Sequence, residues 1–178
     1  MTEEAQQRYL TSFAKRVVAA AKKGVKPAKA TGALEASIKY ELVETDKGYT
    51  VEFKSLDYGK FIDQGVSGKE KRRYYKDIQG KRRQSPFRYS SEKPPTGPLD
   101  KWVVVKGIKA ARNKKGRFIK RKSLVYAITV NIYKYGIQGL SYYSTPLREE
   151  LKDFKQNYAV SFKKDFINSV NEVTKKKK

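Results

Sequence analysis

Polar and apolar residues follow two periods along this chain, and the switches between them mark its elements. From Thr2 to about Lys23, Tyr9, Leu10, Phe13, Val17 and Ala21 recur at helical spacing and form one apolar stripe. Glu3 and Glu4 sit in the first turn of this helix and Lys22 and Lys23 in the last, as the helix dipole favours. Gly24 is the expected stop, followed by VKPAKATG as a short linker. The period then changes to two. Ile38, Tyr40 and Leu42 alternate with Lys39 and Glu41, and Tyr49, Val51 and Phe53 alternate with Thr50, Glu52 and Lys54. With ETDKG between them, these runs predict a hairpin with one apolar face, packed against helices on one side.

LDYGKFIDQG reads as a short helix or turn ending at Gly65. Residues 66–97 follow neither period and are long for an internal connection, so they are either functional or disordered. Pro98 can open a helix carrying Leu99, Trp102, Val105 and Ile108, although the Val triplet leaves a strand open. RNKKGRFIKRK is a second basic connection. SLVYAITVNIYKYG predicts a helix with Leu124, Ile128, Asn131, Ile132 and Tyr135 on one stripe, Ser123 as N-cap and Gly136 as stop. Thr145-Pro146 then starts a long amphipathic helix to about Val173, striped by Leu147, Leu151, Phe154, Tyr158, Phe162, Phe166 and Val170. That stripe folds back on its own sheet or packs partly on another subunit. The fold class expected is α+β: an antiparallel sheet packed against N-terminal and C-terminal helices, with a long basic insertion. One domain spans residues 1–173, and the lysines of 174–178 form a disordered tail.

Composition sharpens this picture mainly through charge. The net charge is +23 in 178 residues, which calls for an anionic partner or neighbour. Residues 66–122 hold 20 Lys or Arg against four acids (Glu70, Asp77, Glu92, Asp100), a local net of +16. The final KKKK adds four, so the rest is close to balanced. There is no Cys and no His, which removes disulfides, thiolate metal sites and the commonest general base. MTEEAQQRY is too polar for a signal peptide, and no apolar run approaches a membrane span, so a cytosol-like environment is expected.

Candidate chemistry is sparse. Glu149-Glu150 reads as a pair of dipole partners at a helix start, and Asp57 and Asp63 fit no metal loop. A metal-dependent nuclease needs several clustered carboxylates, and no such cluster is present. Gly65-Val66-Ser67-Gly68-Lys69-Glu70 fails the phosphate-loop pattern on spacing and on its last residue. No catalytic residue, metal or cofactor is expected. The serious candidate is GKEKRRYYKDIQGKRRQSPFRY, residues 68–89, where nine of 22 residues are Lys or Arg and four are aromatic. Arg72, Arg73, Tyr74, Tyr75, Arg82, Arg83, Phe87, Arg88 and Tyr89 combine phosphate-neutralising and stacking groups, yet no reader motif frames them. They are therefore candidates for docking on an adjacent subunit, with nonspecific nucleic-acid contact as the alternative. Membrane-surface binding lacks the basic amphipathic helix it would need.

Three stretches carry a family resemblance. TGALEASIKYEL contributes Thr31, Gly32, Leu34, Ser37 and Ile38; YGKFIDQG contributes Tyr58 and Gly65; LVYAITVNIYKYGIQGLSYYSTPLREEL contributes Gly136 and Pro146. Their order, over roughly residues 5–65 and 98–170, resembles the neck proteins of tailed bacteriophages, the head–tail connector and tail-completion proteins. The resemblance implies a small, non-enzymatic α+β virion protein that forms a homo-oligomeric ring between portal or adaptor and tail. It also implies assembly in the host cytoplasm and contact with packaged DNA at most nonspecifically. Residues 66–97 depart from the family's shorter pattern.

Overall fold

The computed structural model describes residues 3–28, 31–46, 48–108, 112 and 116–175; for residues 3, 28, 162, 164, 165 and 168–175 it describes the backbone only. The fold is α+β. Helix α1 (Glu3–Val25) leads through a 3-10 turn at Lys26–Ala28 to the short α2 (Ala33–Ser37). Strands β1 (Lys39–Thr45) and β2 (Gly48–Lys54) form an antiparallel hairpin, and α3 (Gly59–Gln64) follows. A second, smaller hairpin comprises β3 (Tyr74–Lys76) and β4 (Arg82–Gln84). Then come α4 (Thr96–Val105), α5 (Arg121–Tyr135), α6 (Ser144–Lys152) and α7 (Phe154–Lys175).

The period-2 pattern sets the register of the first hairpin. Tyr40 faces Phe53 and Leu42 faces Val51, which puts the apolar positions of both arms on one face. That face lies against α1. The α1 stripe is buried at Leu10, Phe13, Val17 and Ala21, together with Ala5, Ala14 and Val25. A core cluster joins Ala21 and Val25 to Leu34, Ile38 and Tyr142. Leu34 and Ile38 lie four residues apart, one on α2 and one just beyond it, so the short helix turns both inward. Burying such side chains stabilises by about 1.5–3 kcal/mol each.

Several expectations change. Gly24 does not stop α1, which continues to Val25. A Cβ at Gly24 would lie 3.2 Å from the Cα of Tyr142, so this glycine serves close packing. TGALEASI contains the short α2, opened by Gly32 at φ 84°. On α4 the buried residue is Val103, while Val105 and Ile108 face outward. On α5 the buried stripe is Val125 and Thr129, and the helix starts at Arg121, before Ser123. The long final helix divides at Asp153, whose φ of −101° and ψ of 5° leave the helical region. Pro146 sits inside the first turn of α6. The first turns of α7 pack on α1, with Phe154 against Phe13 (ring centroids 5.1 Å) and Tyr158 against Tyr9 (5.3 Å). Phe166 is exposed, the side chains of Phe162 and Val170 lie outside the described ones, and residues 176–178 of the lysine tail lie outside the described residues.

Candidate functional site

Residues 62–71 and 133–144 meet along a backbone-to-backbone seam. Val66 and Ile137 exchange both amide hydrogen bonds, at 2.9 and 2.8 Å. Beyond that bridge, the amides of Leu140 and Ser141 donate to the carbonyls of Ile62 and Asp63, and those of Lys69 and Glu70 donate to Tyr133 and Lys134. Side chains would block this approach. Four glycines occupy it in two identical spacings, Gly65-x-x-Gly68 and Gly136-x-x-Gly139. A Cβ on Gly65 would stand 2.6 Å from the Gly139 nitrogen, and one on Gly136 would stand 2.5 Å from the Gly68 nitrogen. Gly65 (φ 74°, ψ 178°) and Gly136 (φ 69°, ψ −171°) also adopt a conformation open essentially to glycine alone. The glycines of GVSGKEK thus serve close backbone packing.

The seam delivers Asp63 to the start of α6. Asp63 is buried, and its Oδ1 accepts the amides of Tyr143 (2.8 Å) and Ser144 (3.2 Å). Its Oδ2 accepts the Ser144 hydroxyl. An N-cap normally comes from the residue before the helix; here a residue 80 positions upstream fills that role. The carboxylate also lies where the helix dipole favours negative charge. Tyr142 is wedged between α1 and α3, and a Cβ on Gly59 would lie 2.5 Å from its hydroxyl. Burial raises the Tyr142 phenol, and burial with the nearby Asp63 carboxylate raises the Tyr143 phenol, so both stay protonated at neutral pH. Beside them a cleft of about 300 Å³ is lined by Ile38, Phe53, Lys60, Asp63, Ile78 and Tyr143. Asp57 is exposed, and among the described residues no group of three or more His, Cys, Asp or Glu is placed to hold a metal ion.

The basic segment 68–89 folds onto this seam as the β3–β4 hairpin. Buried Ser67 anchors it: its amide donates to Phe87, its carbonyl accepts from Tyr89, and its hydroxyl oxygen accepts the Arg73 amide. Buried Ser85 donates its hydroxyl to the Gly65 carbonyl at 2.7 Å. The nine candidate residues divide into distinct roles. Arg73 caps the end of α5, its guanidinium donating to the Tyr135 and Gly136 carbonyls and to Gln138. Arg83 pairs with Asp77 at 3.0 Å, and Arg88 donates to the Lys69 carbonyl. Phe87 packs edge-on against Phe61 with ring centroids 4.4 Å apart. Tyr75 and Tyr89 are half-buried, and burial raises the Tyr89 phenol. Tyr74, Arg72 and Arg82 are exposed, with the Arg82 guanidinium 4.2 Å over the Tyr74 ring.

Arg73 and Arg72 therefore separate experimentally although they are neighbours. Arg73→Ala removes charged donors from the terminal carbonyls of α5 and is expected to cost about 1–2 kcal/mol. Arg72→Ala is expected to stay within about 0.5 kcal/mol. Thermal melts of the two variants check the difference.

The residues of the family-like motifs gather around the same core and seam. The Thr31 hydroxyl oxygen accepts the Ala33 amide (3.4 Å), and the Gly32 carbonyl accepts the Ala36 amide. The Ser37 hydroxyl donates to Leu34 and accepts the Leu56 amide, tying α2 to the end of β2. The Tyr58 carbonyl accepts the Phe61 and Ile62 amides of α3. Sequence reasoning missed Gly68, Gly139, Ser67 and Ser85, and passed over Asp63 as a cap. The repeated Gly-x-x-Gly was the available signal for the glycines. Searches of protein-family models, curated proteins and solved structures give no match for this chain.

Proposed function

We propose that this chain is a non-enzymatic virion protein, a ring-forming neck or tail-completion subunit between a portal or adaptor and the tail, assembled in the host cytoplasm. The observation that carries the reading is the exposure of large apolar side chains on two unlike elements. One group lies on α4, α5 and their connection: Val104, Val105, Ile108, Phe118 and Tyr126. The other lies on α7 beyond its contact with α1: Val160, Phe166 and Ile167, with Phe166 63% exposed. A two-fold dimer needs one self-complementary patch, whereas a ring needs two different patches that meet head to tail. Exposed apolar surface of this extent on a chain with +23 net charge favours burial in an assembly over an isolated monomer. The ordered trio of neck-like motifs supports the same reading. Among the described residues no helix is long and apolar enough to cross a membrane.

Native mass spectrometry tests the assembly. The full chain is expected to form one closed oligomer of defined copy number. Phe166→Asp with Ile167→Asp is expected to give only the monomer of about 20.5 kDa, with its helical circular dichroism retained, because these side chains make no core contact within the subunit. A wild-type chain that stays monomeric at every concentration rejects self-assembly through these faces.

A further inference from the structure

The β3–β4 hairpin carries a conflict that its own chain does not resolve. Lys76 lies directly across from Arg82 in the ladder, and like charges in that position are destabilising. Among the described residues no carboxylate lies within ion-pair distance of either. The two acids of the segment are engaged elsewhere: Asp77 binds Arg83 and the turn amides of Gln79 and Lys81, and Glu70 pairs with Lys134 at 3.1 Å. Alternation along the strands puts Tyr74, Lys76, Arg82 and Gln84 on one face. The Arg82 guanidinium carbon lies 4.2 Å from the Tyr74 ring centroid, a cation–π contact that limits the freedom of this long side chain. Arg72 and Lys81 are exposed beside this face.

We propose that the Tyr74–Lys76–Arg82 face of this hairpin, flanked by Arg72 and Lys81, is a contact site for the phosphodiester backbone of nucleic acid. A polyanion removes the Lys76–Arg82 repulsion, and a guanidinium suits the two oxygens of a phosphate. The geometry carries no base readout: the hairpin is three residues long on each arm, and its aromatic ring is covered by Arg82. The contact is therefore independent of nucleic-acid sequence and strongly dependent on salt. The inference does not rest on ring formation, and a monomeric chain that binds in this way leaves it standing.

The test measures affinity for a short DNA duplex of arbitrary sequence between roughly 50 and 200 mM salt. Lys76→Gln with Arg82→Gln is expected to reduce the slope of log affinity against log salt by about 1.8, at roughly 0.9 per lost phosphate contact. Lys15→Gln with Lys155→Gln, an equal charge change on exposed helix positions, is expected to leave that slope unchanged. Lys76→Glu separates binding from folding. It converts the cross-strand repulsion into an attraction, so the melting temperature rises by about 1–3 °C while duplex affinity falls at least tenfold. Absence of duplex binding by the wild type overturns the proposal, as does a slope that the Lys76/Arg82 pair does not change. Binding to phosphatidylserine-containing vesicles in place of the duplex overturns it as well.

Discussion

Gly136→Ala is expected to destabilise the chain by about 3–5 kcal/mol, a fall in melting temperature of roughly 10 °C at this size. Two costs add. At φ 69° and ψ −171° an L side chain is strained by about 1–3 kcal/mol. The new methyl must also displace backbone, since it would sit 2.5 Å from the Gly68 nitrogen and 2.8 Å from the Ser67 carbonyl carbon. Neither neighbour can swing aside as a flexible side chain would, because both belong to the seam that holds α5 against residues 62–71. Two other glycines calibrate the effect. Gly107 has a positive φ of 61° with nothing within 4 Å, so Gly107→Ala isolates the conformational term at about 1 kcal/mol. Gly97 has neither constraint, and Gly97→Ala, in the first turn of α4, is expected to be neutral or slightly stabilising. Thermal melts of the three variants should rank 136, then 107, then 97. An equal loss at all three positions contradicts the seam.

The second large effect is expected at Asp63. Asp63→Ala strips the start of α6 of its cap and leaves the Tyr143 and Ser144 amides and the Ser144 hydroxyl buried without an acceptor. The expected cost is about 2–4 kcal/mol, above that of an exposed cap, because three donors lose their acceptor at once. Asp63→Asn keeps a carbonyl oxygen for the amides, and the Ser144 hydroxyl can turn to accept from the new amide group. It loses only the charge at the helix terminus and some hydrogen-bond strength, about 1 kcal/mol. Chemical denaturation of both variants checks the ratio. Equal losses for Ala and Asn contradict a capping role, because a cap depends on the acceptor that only Asn retains.

Elements governed by local pattern were legible in the sequence. The alternation around Tyr40 and Phe53 marked both strands and their apolar face, and the Leu10–Phe13–Val17–Ala21 stripe marked the buried side of α1. Gly65 and Gly136 were recognisable as endings because both close a helix with a positive φ. What escaped is what distant partners decide. β3 and β4 are too short and too charged to display alternation, and their anchors, Ser67 and Ser85, are small polar residues that look like loop in any window. Gly24 looks like a helix stop until Tyr142 is placed against it. Asp63 looks like one acid among many until α6 arrives, 80 residues later. Within the candidate site, the sequence singled out residues 68–89 but not the division of labour inside them. Arg73, Arg83, Arg88 and Phe87 are occupied within the chain, which leaves Lys76 and Arg82, with Arg72 and Lys81 beside them, as the charged surface.

These two effects concern the integrity of a single subunit; the proposed role concerns a virion particle. The proposed ring subunit needs a rigid frame, which the glycine seam and the Asp63 cap would supply, and open apolar faces, which α4, α5 and α7 would supply. Electron microscopy of purified tailed particles, averaged about the tail axis with this chain labelled at its N-terminus, tests that role most directly. The account predicts a closed ring of labelled subunits at the junction of head and tail. Purified particles that lack the chain, or carry it away from that junction, contradict it.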